Sequence, residues 1–139
     1  MNILIAEDSP EDVRLALEAF RGSSIPNHVS TVSDGEAAMA FLRREAPHQN
    51  APRPDFILLD VHLPKKDGYA VLAEIRADPR LRRIPVIVLS GSRDSQDIAR
   101  AYDLHANCYI AKPFDVEQYV LMVRSIEQFW SQTATLARE

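Results

Sequence analysis

Short apolar runs that alternate with helical patterns constrain this chain more than any other feature. The runs are too short for helices, and their near-continuous apolar character is typical of parallel strands covered on both faces. Four of them run directly into polar residues: Asn2–Ala6, Phe56–Leu59, Val86–Leu89 and Cys108–Ala111. A fifth run, His28–Ser33, alternates weakly between polar and apolar residues, as an edge strand does.

The order of these patterns predicts a βαβαβαβαβα chain that folds as a doubly wound α/β domain. Ser9 and Pro10 mark the start of the first helix, and Asp12 is placed to reach back to the cap. Asp115 marks the start of the last helix, which is expected to run to about Trp130. Because the second strand is the least apolar, it belongs at an edge, and this favours a five-stranded parallel sheet with order 2-1-3-4-5.

The length of 139 residues fits one domain with a sizeable core. We predict that domain over residues 1–130, followed by a short polar tail over residues 131–139 that is expected to fray. Too few residues follow the last helix for a DNA-binding domain, and a net charge of −4 argues against a nucleic-acid partner. No apolar run approaches the roughly 20 residues of a membrane span. The single cysteine, Cys108, and the lack of a leader pattern predict a cytoplasmic protein.

The polar residues at the strand ends form one chemical set. Glu7 and Asp8 follow the first strand, Asp60 follows the third, and Ser90 and Lys112 follow the fourth and fifth. Because the carboxyl ends of parallel strands lie side by side, these side chains should share one pocket. Carboxylates packed together require either a proton or a cation. Carboxylate oxygens with open water positions suit Mg²⁺.

Each member of this set has a predicted role. Asp8 and Asp60 are candidate direct ligands of Mg²⁺, the backbone carbonyl of His62 is a third, and Glu7 is expected to act through a water. Asp60 is also the candidate nucleophile, forming an aspartyl phosphate. Phosphoryl transfer needs positioning and charge neutralisation, which Mg²⁺ and Lys112 would supply.

Two further predictions concern the fourth and fifth strand ends. The Ser90 hydroxyl is expected to donate a hydrogen bond to a phosphoryl oxygen. The Lys112–Pro113 bond is a candidate cis peptide, which would direct Lys112 into the pocket.

Taken together, these residues resemble the receiver domain of a bacterial response regulator of the CheY-like kind, over about residues 1–130. The resemblance rests on Glu7-Asp8, Asp60, Leu63-Pro64, Asp67-Gly68, Ser90, Tyr109 and Lys112-Pro113-Phe114. It implies a flavodoxin-like fold and transfer of a phosphoryl group to Asp60 from a phosphohistidine on a sensor histidine kinase. It also implies that Ser90 and Tyr109 move together as the switch. The Leu63–Gly68 loop and the Phe129-Trp130 ending resemble single-domain regulators coupled to phytochrome-type kinases.

Three other functions remain open at this point. A Mg²⁺-dependent phosphatase would also use Asp60 as the nucleophile, but it needs a second acid two residues later, where His62 stands. A nucleotide-binding module needs a glycine-rich loop after the first strand, where Glu7 and Asp8 would repel phosphates. A pseudo-receiver that serves only as a scaffold would not need the acid, hydroxyl and lysine set.

The last helix is apolar on all sides between Tyr119 and Val123, which is wider than one core contact requires. We therefore predict a homodimer or partner surface on the fourth helix, fifth strand and fifth helix, with Tyr119, Leu121 and Met122 as members. The alternative is a terminal helix that the rest of the domain covers tightly.

Overall fold

A computed structural model describes residues 1–137, in which five parallel strands form one sheet with the order β2-β1-β3-β4-β5. The strands are β1 (Asn2–Ala6), β2 (His28–Val32), β3 (Phe56–Leu59), β4 (Val86–Ser90) and β5 (Cys108–Ala111). The strand order and the edge position of β2 confirm the predicted doubly wound topology. Strand β2 is added on one side of β1 and the later strands on the other, so the strand order reverses between the parallel strands β1 and β3. Their carboxyl ends therefore lie at the switch point where such sheets bind ligands.

Helices cover both faces of the sheet. They are α1 (Pro10–Arg21), α2 (Gly35–Leu42), α3 (Gly68–Ala77), α4 (Ser95–Asp103) and α5 (Val116–Gln128). A capping side chain precedes each helix and accepts a hydrogen bond from a backbone N–H two or three residues later. These caps are Ser9, Asp34, Asp67, Asp94 and Asp115.

The apolar side chains form one core on each face of the sheet. Along β1 the side chains alternate, with Leu4 in the core beneath α2 and α3, and Ile3 and Ile5 in the core beneath α1 and α5. The residues of β1, β3 and β4 are almost all buried, which explains why these three strands read as continuous apolar runs. The helix α4 contributes Ala101 as its buried residue.

Three sequence predictions need correction. The Asp12 carboxylate does not reach back to the cap, because it accepts a hydrogen bond from Lys112 Nζ at 2.7 Å. Among the described residues the cis X-Pro bond is Ala46–Pro47, so the prediction of a cis Lys112–Pro113 bond is wrong, and trans is the commoner form.

Helical structure at the end of the last helix extends further than predicted. A π-helical turn over Phe129–Thr133 continues α5 past Trp130, so the start of the predicted tail is helical. Residues 138–139 lie outside the described residues. The domain boundary at residue 130 stays a prediction.

Arg76 on α3 joins the two loops that lead into β4 and β5. Its Nε donates to the carbonyl of His105 (2.8 Å), and its Nη1 donates to those of Arg82 (3.0 Å) and Ile84 (2.9 Å). Its Nη2 donates to Asn107 Oδ1 (2.8 Å), which also accepts the backbone N–H of Val86. We expect Arg76→Met to lower the free energy of unfolding by about 3 kcal/mol, because these acceptors lose a charged donor.

Urea unfolding followed by circular dichroism measures this effect. The matched control is Arg83→Met, because Arg83 lies in the same loop region and is exposed. Its loss should change the free energy of unfolding by less than about 0.5 kcal/mol. Equal effects of the two substitutions would show that the Arg76 contacts do not stabilise the loops.

Candidate functional site

Backbone hydrogen bonds beyond the strand ends fix the two buried acids at one edge of the sheet. The N–H of Glu7 donates to the carbonyl of Val32 at 3.0 Å. The N–H of Asp60 donates to the carbonyl of Ala6 at 3.0 Å. Both residues therefore continue the sheet ladder, and their carboxylates are held at the carboxyl ends of β1 and β3.

These carboxylates and that of Asp8 form a group that fits a divalent cation. One ligand oxygen from each of Glu7, Asp8 and Asp60 lies within 4.8 Å of the others. Glu7 and Asp60 are buried, and Asp8 is exposed. Three hard oxygen donors with one open side match the coordination that Mg²⁺ and similar cations prefer. The backbone N–H of His62 donates to Asp60 Oδ1 (3.0 Å), and the role of the His62 carbonyl stays a prediction.

Lys112 reaches this group from the end of β5. Its Nζ donates to Glu7 Oε1 (2.5 Å), Asp12 Oδ2 (2.7 Å) and Asp60 Oδ2 (3.3 Å). Asp12 is a member of the site that was not predicted from the sequence. Its place in the first turn of α1, four residues after Asp8, was the available signal, because that turn faces the same edge of the sheet.

The site perturbs the proton affinities of its members. Burial, with a smaller contribution from the charge of Asp60, raises the pKa of Glu7 to about 7, although hydrogen bonds from Lys112 and Ser9 oppose the shift. Burial acts against the charge of Lys112. That burial alone would lower the pKa of Lys112. The pKa is instead raised above its ordinary value, because Lys112 donates hydrogen bonds to Asp12 and Glu7 and lies near the charge of Asp60.

This shift predicts how the stability of the metal-free protein depends on pH. The pKa of Glu7 is about 7 in the folded state against an ordinary value of 4.5, so the folded state binds more protons between these values. Stability should therefore fall as the pH rises from about 4.5 to about 7, and level off above that. The raised pKa of Lys112 stabilises the fold below its ordinary value of 10.5 and adds no slope in this window.

The measurement compares urea unfolding of the wild type and Glu7→Gln in EDTA, across pH 5 to 7.5. We expect the wild type to lose about 2 kcal/mol relative to the variant over this range. Parallel pH profiles for the two proteins would contradict the raised pKa of Glu7.

Ser92 joins the two predicted switch residues. Ser90 is the fully buried last residue of β4, and its Oγ accepts the backbone N–H of Ser92 at 3.2 Å. The Tyr109 hydroxyl on β5 donates to the Ser92 carbonyl at 2.7 Å. The backbone N–H of Tyr109 donates to the hydroxyl of Tyr102 on α4 (3.1 Å). The structure thus connects Ser90 and Tyr109 through the loop that follows β4.

Comparison with known sequences identifies the family. The family model of the response regulator receiver domain matches residues 3–124. The chain belongs to the response regulator receiver family. This receiver domain is 48% identical over 134 residues to response regulator Rcp1 of Synechocystis sp. (strain ATCC 27184 / PCC 6803 / Kazusa). The aligned residues cover 96% of this chain and 91% of that relative.

Solved structures agree with this assignment. The receiver domain matches the phosphorylated cyanobacterial phytochrome response regulator RcpA with a TM-score of 0.94 and 53% identity, over 99% of this chain and 98% of the other. It matches the Mn²⁺-bound form of response regulator Rcp1 with a TM-score of 0.92 and 47% identity, over 99% of each chain. The protein is therefore a response regulator of two-component signalling, and the phosphatase alternative is not needed to explain the site.

The three predicted surface residues of the receiver domain differ from one another in their exposure. Tyr119 is 4% exposed and packs in the core beneath α1 and α5, so its prediction as a surface residue is wrong. The reason is its helical spacing from Val123 and Ile126, which places all three on the inward face of α5. Leu121 is 55% exposed, and Met122 is partly buried against the same core.

The absence of a membrane span was predicted from the short apolar runs, and the helices can be compared with that prediction. In the part of the receiver domain covered by residues 1–137, none of the helices is both long and apolar enough to cross a bilayer.

Proposed function

We propose that this response regulator accepts a phosphoryl group on Asp60 from a phosphohistidine of a sensor histidine kinase, with Mg²⁺ as its cation. One observation carries the proposal. The buried Asp60 carboxylate lies with two other carboxylates and the Lys112 ammonium at the switch point of the sheet. A nucleophilic carboxylate beside a cation site and a fixed ammonium is the arrangement that phosphoryl transfer requires.

The transfer balances as a single displacement at phosphorus. A carboxylate oxygen of Asp60 forms a bond to phosphorus while the phosphorus–nitrogen bond to the kinase histidine breaks. The electron pair of the broken bond stays on the imidazole nitrogen, and the histidine leaves as a neutral imidazole because its other ring nitrogen keeps a proton. Mg²⁺ held by Asp8, Asp60 and the backbone carbonyl of His62, with Glu7 acting through a water, would neutralise charge on the phosphoryl oxygens. Lys112, whose Nζ is 3.3 Å from Asp60 Oδ2, is placed to neutralise the charge on the other side.

The proposed response to phosphorylation involves Ser90 and Tyr109. The Ser90 hydroxyl would donate to a phosphoryl oxygen, and the loop through Ser92 would then pass the change to Tyr109. The hydrogen bonds of Ser92 to both residues support this step.

The relatives support the choice of cation and partner. A Mn²⁺-bound Rcp1 structure supports a divalent ion at the acidic group. The similarity to a phosphorylated phytochrome response regulator supports a kinase of the phytochrome type. We also propose that the protein acts in the cytoplasm.

Mass spectrometry of the intact protein tests the proposal. Incubation with Mg²⁺ and a small phosphodonor should add the mass of one phosphoryl group, and base should remove it, because acyl phosphates are base-labile. We expect Asp60→Asn and EDTA each to abolish the adduct, and Asp103→Asn at the exposed end of α4 to keep it. An adduct that survives in Asp60→Asn would exclude Asp60 as the acceptor.

The homodimer is also part of the proposal, with α4, β5 and α5 as the interface. The exposed side chains of Leu121 on α5 (55%) and Tyr102 on α4 (48%) support a protein–protein surface on these elements. Light scattering at high micromolar concentration, with and without a phosphoryl mimic, should give the mass of two chains in at least one condition. The mass of one chain in both conditions would exclude the dimer.

A further inference from the structure

Asp97, in the first turn of α4, is bonded to two different parts of the domain. Its carboxylate Oδ2 accepts a hydrogen bond from Ser92 Oγ at 2.5 Å. Its backbone carbonyl accepts a hydrogen bond from the Tyr69 hydroxyl at 3.0 Å. The first bond leads through Ser92 to Ser90 and Tyr109, the two switch residues. The second leads into α3 and is not part of that connection.

Tyr69 is joined directly to the segment that carries the acceptor. It follows Gly68, whose N–H donates to the carbonyl of Val61 at 2.7 Å. A Cβ on Gly68 would lie 2.3 Å from the carbonyl oxygen of Asp60, so the two backbones are in direct contact. A displacement of the Asp60 segment must therefore also displace the first turn of α3, where Tyr69 lies.

The ring of Tyr69 passes through the interior to α4. Its side chain is 4% exposed, and the guanidinium of Arg100 on α4 lies 4.1 Å from the centroid of its ring. The hydroxyl bond and the stacked guanidinium both join α3 to α4. Because Ala101 is the buried residue of α4, such polar contacts carry much of the attachment of this helix.

We propose that Tyr69 is a positioning residue that couples the Asp60 segment to α4, and that this coupling meets the Ser90–Tyr109 connection at Asp97. The inference rests on the proposed function, since Asp60 is taken as the acceptor. Coupling between two sites is reciprocal, so a change in the attachment of α4 must alter the affinity of the Asp60 site for a phosphoryl group or its mimic. A bond that only stabilises the fold equally in both states leaves that affinity unchanged.

The test uses Tyr69→Phe, which keeps the ring and the stacking of Arg100 and removes the hydroxyl. Beryllofluoride with saturating Mg²⁺ serves as the phosphoryl mimic, and fluorine NMR gives the fraction bound. We expect the variant to need at least about three times more beryllofluoride for half-saturation, because an α4 that is less ordered must be ordered on binding. Affinity equal to that of the wild type, or tighter, overturns the proposal.

Two further variants make the result specific. Tyr102→Phe removes the bond between α4 and the N–H of Tyr109 but leaves Asp97 untouched. If it shifts the affinity as much as Tyr69→Phe does, general loosening of α4 explains the effect and the proposal fails. Ser92→Ala removes the other bond to Asp97, and its effect should be non-additive with that of Tyr69→Phe if the two connections meet there. Additive effects of the two substitutions on the affinity would contradict the claim that the two connections meet at Asp97.

The wild type separates failure of this inference from failure of the proposed function. A wild type that neither binds beryllofluoride nor forms an adduct on Asp60 counts against the proposed function. A wild type that does both, with Tyr69→Phe unchanged, counts against the coupling alone. Amide hydrogen exchange gives a second readout, because the first turn of α4 should exchange about three to ten times faster in Tyr69→Phe.

Discussion

Replacing Lys112 with methionine is expected to lower the free energy of unfolding of the metal-free protein by about 3 kcal/mol near neutral pH. The ammonium of Lys112 donates to Glu7, Asp12 and Asp60, and its side chain is only 15% exposed. Methionine keeps most of the length of the side chain and removes the charge. The carboxylates then repel one another without a compensating cation, which is the costly half of a broken buried ion pair.

Urea unfolding in EDTA measures this loss, and Lys65→Met is the matched control. The Lys65 side chain is 63% exposed, and its Nζ lies 3.7 Å from Asp34 Oδ2. Exposed pairs of this kind contribute at most about 1 kcal/mol. Addition of Mg²⁺ should recover part of the stability of Lys112→Met, because a bound divalent cation replaces the missing positive charge. A loss below about 1 kcal/mol in EDTA would show that the acids do not depend on Lys112.

Replacing Gly68 with alanine is expected to cost at least about 3 kcal/mol in the free energy of unfolding. A Cβ at this position would lie 2.3 Å from the carbonyl oxygen of Asp60 and 2.4 Å from the Cα of Val61. Both contacts are with backbone, so no flexible side chain can move aside. Space, and not an unusual backbone angle, requires glycine here, because no glycine in the described residues has a positive φ.

Gly91→Ala is the control for the loss of a glycine. A Cβ on Gly91 would meet no atom within 4 Å, so alanine fits without displacement. We expect the free energy of unfolding of this variant to exceed that of the wild type by at most about 1 kcal/mol, because alanine restricts the unfolded chain. Thermal unfolding of both variants gives the comparison. Similar melting temperatures for Gly68→Ala and Gly91→Ala would contradict the close contact at Asp60.

The sequence was sufficient to predict the sheet and the residues that gather at its edge. Near-continuous apolar runs required two covered faces, and the weak second run required an edge position. Strand ends in a parallel sheet are fixed by topology, so Glu7, Asp60 and Lys112 were brought together by the strand order alone. The prediction needed no knowledge of side-chain conformations.

Where side-chain direction decides, the sequence was insufficient. Asp12 stands where the Glu or Gln of a capping box would bond the backbone N–H of the N-cap residue. Aspartate is one methylene shorter than glutamate, and its carboxylate bonds the Lys112 ammonium instead. Tyr119 lies in a segment that is apolar on every face, so periodicity could not show which face turns inward. The contacts of Tyr69 and Asp97 join residues far apart in the chain, and no local pattern reports them.

The shallow packing of α4 bears on how proteins of this kind diverge. Because Ala101 is the residue of α4 that enters the core, substitutions at exposed positions of this helix other than Arg100 and Tyr102 should each change stability by less than about 0.5 kcal/mol. New partners can then be acquired by mutation of α4 while the acids, Lys112 and the sheet stay as they are. Gene duplicates that share one phosphoryl chemistry could in this way separate into pathways that do not interfere with one another.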